Sequence, residues 1–186
     1  MRYLDKTVSN VFRLDLVKEM FPDAAFVFLI RDPRTNLASM ITGWPGERFS
    51  KPPLIRYLRE SGSALAHWTY AAPPGWRETL SWSLPQICAW SWQQHVKAIL
   101  RFRGSGEVGP LVRYEDLVDD PVSVIGDLAS RLDLEMTPGV TDYLAEPPLS
   151  RTTLATQEAA ARRAVVAAQV ESVLPFVAAT AARFGY

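Results

Sequence analysis

An arginine closes the apolar run Phe26-Val27-Phe28-Leu29-Ile30-Arg31, and Asp32-Pro33 follow at once. The five apolar residues have the length of a buried strand. Pro33 has the fixed φ that suits a first helical position, and Asp32 before it is a natural N-cap. The pattern delivers a guanidinium to the carboxyl end of a strand, where open α/β sheets take their ligands. Arg31 offers a planar fork of donors, the first helical turn adds unpaired N–H groups, and Ser39, about two turns on, adds a hydroxyl. Together these groups could bind a phosphate. The competing reading makes Arg31 one half of a strand-end ion pair and Ser39 a small packing residue.

On either side of this turn the chain reads as strands and helices of an α/β protein. Arg2 to Asp5 would end a short strand, and Ser9 would cap a helix from about Asn10 to Met20. Phe21-Pro22-Asp23 then turns the chain into the buried strand. The helix after Arg31 is expected to run to about Ile41 and to stop at Gly43. From 44 to 85 the composition shifts to paired prolines and to Trp44, Phe49, Tyr57, Trp68, Tyr70, Trp76 and Trp82. This segment reads as a lid or acceptor wall, or else as a cover for the core. A helix from Gln86 to about Arg103 carries His95 among Trp90, Trp92 and Ile99, the setting of a hydrogen-bonded packing residue. Gly104-Ser105-Gly106-Glu107-Val108-Gly109 matches a dinucleotide fingerprint as text, but it follows a helix and precedes the strand Leu111 to Tyr114, so it reads as a turn. Asp120-Pro121 opens a helix to about Leu132, and Thr137-Pro138 repeats that start signal. The stretch 155–186 reads as C-terminal helices, with Pro175 opening the second of them behind Ser172.

Read as a longer string, Asp5-Lys6-Thr7-Val8-Ser9-Asn10, Phe21-Pro22-Asp23-Ala24, Phe28-Leu29-Ile30-Arg31-Asp32-Pro33-Arg34 and Ser39 resemble the sulfotransferases that use 3′-phosphoadenylyl sulfate (PAPS). Leu111-Val112-Arg113-Tyr114-Glu115-Asp116-Leu117, with Asp120-Pro121 following, is similar to a strand-to-helix segment of that family. Trp92-Gln93-Gln94-His95-Val96 is similar to one of its helices, and Phe184-Gly185-Tyr186 is a common close of bacterial members. The resemblance implies a P-loop-NTPase-like three-layer fold with a short parallel sheet, formed as a single domain over 1–186. It implies that Arg31 and Ser39 hold the 3′-phosphate of PAPS and that Tyr114 lies near the adenine. By the same resemblance Lys6 stands beside the transferring sulfuryl group, and Arg151 supplies a further cation. The acceptor would be a hydroxyl or amine of a small molecule, glycan or lipid.

The resemblance also marks what is missing. Family members begin with a strand and a phosphate loop carrying a Lys and small hydroxyl residues, and no Gly-x-x-x-x-Gly-Lys-Ser/Thr occurs in this chain. The fold is therefore expected to be N-terminally incomplete, with a missing N-terminal segment or a partner chain completing the donor site. A non-catalytic nucleotide-binding or scaffold module is the alternative. Val8 occupies the position at which cytosolic members carry a catalytic histidine, and Asp5 points to the face opposite Lys6, so no base is assigned.

Composition narrows the field further. With 20 basic and 20 acidic residues the formal net charge is zero, which argues against a general nucleic-acid or anionic-membrane surface but allows one local basic pocket. Cys88, the one cysteine, cannot form an internal disulfide, and with only two histidines the sequence predicts no metal site. No signal peptide or membrane span is evident, so a cytoplasmic location is expected.

Overall fold

The strand Phe28–Ile30 is too short and too apolar to persist without cover, and three helices provide it. The computed structural model describes residues 3–44, 58, 60, 65, 68–106, 109–145 and 157–186, with side chains of the last stretch from Val166 onward. β1 (Phe28–Ile30) pairs in parallel with β2 (Leu111–Arg113) in the register Phe28↔Leu111, Leu29↔Val112 and Ile30↔Arg113. The helices are α1 (Leu14–Met20), α2 (Pro33–Gly43), α3 (Leu84–Gly104), α4 (Tyr114–Asp119), α5 (Pro121–Arg131), α6 (Pro138–Ala145) and α7 (Gln157–Ala181). A parallel pair needs a long crossover, and α2 and α3 lie within it. The class is α/β, as the sequence indicates, with helix predominating.

α2, α3 and α7 pack against one another in one layer. Leu37 and Ile41 of α2 recur at helical spacing, as do Cys88, Trp92, Val96 and Ile99 of α3 and Val170, Val173 and Val177 of α7, and all are buried. Phe28 and Ile30 turn toward this layer at 5% and 3% exposure, whereas Leu29 faces the other way at 54%. β1 is thus covered on one face only. Phe102 reaches Phe26 and Phe28 edge-on, with ring centroids 4.9 and 6.1 Å apart. Trp44, Trp68 and Trp76, from the aromatic segment, are buried in the same core, with Trp68 edge-on to both of the others. Phe49, Tyr57 and His67 lie outside the described residues.

Several boundaries depart from the sequence reading, each for a physical reason. Residues 3–7 form no regular element and pair with no strand among the described residues. The Asp5 carboxylate accepts from the Thr7 hydroxyl at 2.8 Å and the Asn10 amide at 2.6 Å, and Val8–Arg13 winds as a 3₁₀ turn before α1 begins at Leu14. Ser9 lies inside that turn instead of capping a helix. α2 ends at Gly43, as the sequence indicates, but not through a left-handed cap, since Trp44 after it keeps a right-handed helical conformation (φ −59°, ψ −42°). What Gly43 provides is room: a Cβ there would lie 2.5 Å from the Tyr70 hydroxyl, which donates to the Met40 carbonyl. Pro175 sits inside α7 rather than opening a new helix. An internal proline costs about 3 kcal/mol, and the buried valines on both sides of it offset that cost.

Gly109, two residues before β2, lies close against the chain that leads into β1. A Cβ there would overlap the Phe26 carbonyl oxygen, a backbone atom that cannot rotate away. Gly109→Ala should therefore destabilise by about 1–3 kcal/mol. Gly126, inside α5 with nothing within 4 Å of its missing Cβ, provides the opposite case: Gly126→Ala should stabilise by about 0.5–1 kcal/mol. Thermal unfolding of the two variants should move the midpoint in opposite directions.

Candidate anion-binding site

The site begins where the sheet stops. Phe28 N–H donates to the Pro110 carbonyl at 2.9 Å, and a parallel ladder repeats every two residues, which would give Asp32 N–H to the carbonyl of Tyr114. At Tyr114, however, the partner chain has already turned into α4. The Glu115 carboxylate takes over, accepting Asp32 N–H through Oε1 at 3.0 Å. On the other side of the peptide unit, Trp92 Nε1 donates to the Arg31 carbonyl at 3.2 Å. Asp32 then caps α2 by accepting from Arg34 N–H at 2.7 Å, with Pro33 in the first turn. The backbone around Arg31 is held from α4, from α3 and from α2.

The Arg31 side chain is held as well. Its guanidinium carbon stands 4.4 Å from the centroid of the Tyr114 ring, a cation–π geometry, and Nε donates to Thr35 Oγ1 at 3.1 Å. The Thr35 hydroxyl donates in turn to the Asp32 carbonyl at 3.2 Å. Among the described residues no carboxylate pairs with Arg31, so the strand-end ion pair is not formed there. Two other arginines differ: Arg34 pairs with Glu171 of α7, and Arg131 with Asp127 at 2.7 Å. Ser39 follows Thr35 by one helical turn on the same face of α2 and is exposed. Arg31, Thr35 and Ser39 therefore form a polar stripe rising from the turn.

Not every residue singled out in the sequence joins this stripe. Lys6 is exposed on the segment before the 3₁₀ turn and makes no hydrogen bond or ion pair among the described residues. Arg151 lies outside the described residues. His95 Nδ1 bonds the Ser91 carbonyl at 2.8 Å, and the His95 ring meets Phe12 edge-on at 4.5 Å. Burial lowers its pKa against the opposing effect of the Ser91 bond, so it is a neutral packing residue. Cys88 is wholly buried, and burial pushes its thiol up to about 12. Among the described residues no three His, Cys, Asp or Glu side chains gather as a metal site, and no helix is long and apolar enough to cross a membrane.

Sequence reasoning missed Thr35, Glu115 and Tyr186 as working parts. Thr35 was detectable from its position midway between Arg31 and Ser39 at four-residue spacing. Glu115 and Tyr186 were not, because their partnership spans 71 residues: the Tyr186 hydroxyl donates to Glu115 Oε2 at 2.6 Å. Burial raises the Glu115 pKa, but the bonds from Tyr186, from Asp32 N–H and from its own N–H, with the charge of Arg113, outweigh it and leave the carboxyl below its ordinary value. Tyr186 is pushed up to about 12, by burial first and then by its bond to Glu115. Beside this cluster an open cleft of about 490 Å³ between β2 and α5 is lined by Arg113, Asp116, Asp127 and Arg131. Its Asp127–Arg131 pair is internally neutral.

Fold and site define an α/β protein with a cationic strand-to-helix turn. The family model described as "Sulfotransferase family" matches residues 1–78, a stretch that includes Arg31 and Ser39. No curated protein and no solved structure matches the chain.

A carboxyl whose folded pKa lies below its unfolded value contributes stability above the ordinary carboxylate range and loses it as pH falls through the folded value. Glu115→Gln should therefore lower the melting temperature at neutral pH, and the gap to wild type should shrink as the pH falls below about 4. Melting curves of both proteins from neutral to acid pH check this.

Proposed function

We propose that this chain binds PAPS and serves sulfuryl transfer to a hydroxyl or amine of a small molecule, glycan or lipid. In this reading Arg31 and Ser39 hold the 3′-phosphate, with the N–H groups of the first turn of α2 behind them, and the Tyr114 ring borders the adenine. One observation carries the proposal: the Arg31 guanidinium is oriented by Tyr114 and Thr35 while no described carboxylate neutralises it. A cation fixed in place and left without a counter-charge suits an anionic ligand.

Transfer requires the acceptor atom to attack sulfur in line with the bond to the leaving phosphate. That bond breaks as the new one forms, and negative charge grows on the bridging oxygen. Lys6, brought to the sulfuryl group, would neutralise that charge. The remaining grip on the donor would come from a phosphate loop in a further segment or partner chain, laid along the outer edge of β1 to complete a three-layer, P-loop-like arrangement. The unpaired outer edge of β1 among the described residues supports this, as does the exposure of Val27 and Leu29 at 44% and 54%. A second reading, a nucleotide-binding module without transfer chemistry, is favoured by Lys6 standing free of the Arg31 cluster.

Calorimetric titration with adenosine 3′,5′-bisphosphate tests the shared core of both readings. Binding is expected, with 5′-AMP much weaker because it lacks the 3′-phosphate. Arg31→Ala should cost about 2–4 kcal/mol, a loss of roughly 30-fold or more. A folded protein that binds neither nucleotide would refute the assignment. Sulfated product formed on adding PAPS and a panel of acceptors would decide for transfer over binding alone.

A further inference from the structure

Tyr186 reaches the anion-binding turn from the far end of the chain. After α7 a 3₁₀ turn (Ala182–Phe184) leads to Gly185, whose φ of 75° reverses the backbone. Gly185 N–H bonds the Ala182 carbonyl and Tyr186 N–H the Ala181 carbonyl, both at 3.3 Å, so this close is hydrogen-bonded in the manner of a helix C-cap rather than frayed. The Tyr186 ring lies against the Arg113 guanidinium, 4.6 Å from centroid to carbon. Its hydroxyl donates to one oxygen of Glu115 at 2.6 Å and stands 3.4 Å from the Ile30 carbonyl, and the other oxygen of that carboxylate holds Asp32 N–H. A single carboxylate thus bridges Tyr186 and the peptide that follows Arg31.

We propose that Tyr186 is a positioning residue for the anion site: by holding Glu115 it fixes the Asp32 amide and, through it, the turn that presents Arg31. The proposal rests on the reading that Arg31 binds the 3′-phosphate. Without Tyr186 the carboxylate keeps only backbone N–H donors, those of Asp32 and of Glu115 itself, whereas the Tyr186 hydroxyl on the opposite oxygen fixes its plane. Tyr186→Phe leaves the ring and the Gly185 turn in place and removes the hydroxyl with both its contacts, the short one to Glu115 and the longer one to the Ile30 carbonyl, which the Glu115→Ala background separates.

The experiment measures affinity for adenosine 3′,5′-bisphosphate and hydrogen exchange at the Asp32 amide in wild type, Tyr186→Phe, Glu115→Ala and the double variant. Tyr186→Phe is expected to keep the melting temperature within a few degrees, to exchange faster at Asp32, and to bind about 5- to 10-fold more weakly. In the Glu115→Ala background the same substitution should have no further effect on affinity, since its action runs through that carboxylate. Equal affinity of Tyr186→Phe and wild type would overturn the proposal while leaving the nucleotide reading in place, and so would an additive loss in the double variant. Absence of nucleotide binding by wild type would remove the site itself and the positioning role with it. The Asp32 exchange rates would then report only whether the mechanical link exists.

Discussion

One hydrogen bond governs the functional end of this molecule: the Asp32 amide donating to a Glu115 carboxylate oxygen. A parallel ladder has to end somewhere, and its last donor must find a partner or face solvent. Here the partner strand leaves the sheet one step early to become α4, and a side chain from the first turn of that helix substitutes for the missing carbonyl. The substitution has two effects. It satisfies the backbone at the strand end, and it brings a negative charge close to Arg31 without pairing with it. The cation is left to be oriented by an aromatic face and a threonine hydroxyl, both of which hold it without cancelling its charge.

The helical layer makes that arrangement rigid. α3 contributes Trp92 twice, through its buried ring and through the indole N–H on the Arg31 carbonyl. α7 contributes Glu171 to Arg34 at the start of α2, and its extension carries Tyr186 to Glu115. Elements from the middle and the end of the chain therefore converge on one turn near its beginning. An open apolar face on the other side of β1, with Leu29 exposed, contrasts with this concentration of contacts.

Much of this was legible in the sequence. The apolar run ending in Arg31-Asp32-Pro33 specified a strand, a cap and a helix from local chemistry alone, and the structure has all three, although β1 starts at Phe28 and not at Phe26. Tyr114 and Arg31 are named independently in the sequence and meet in space. What was not legible depends on long-range partners. Pro175 reads as a helix start by propensity, and only the packing of Val170, Val173 and Val177 explains why α7 runs through it. Gly43 reads as a stop signal and α2 does end there, but the room it leaves is for Tyr70, 27 positions along the chain. The same limit hid Glu115 and Tyr186, whose role appears only when residue 186 is brought back to residue 32.

The burial of Cys88 has a practical consequence. The side chain has no exposure, its neighbours Ile87 and Ala89 have none either, and its thiol is held far from ionisation at neutral pH. A thiolate is the form that alkylating reagents attack, so the folded protein should shield this sulfur from them. With one cysteine in the chain, labelling by a maleimide becomes a clock for opening of the α2–α3–α7 core: each modified molecule records one excursion in which that layer came apart.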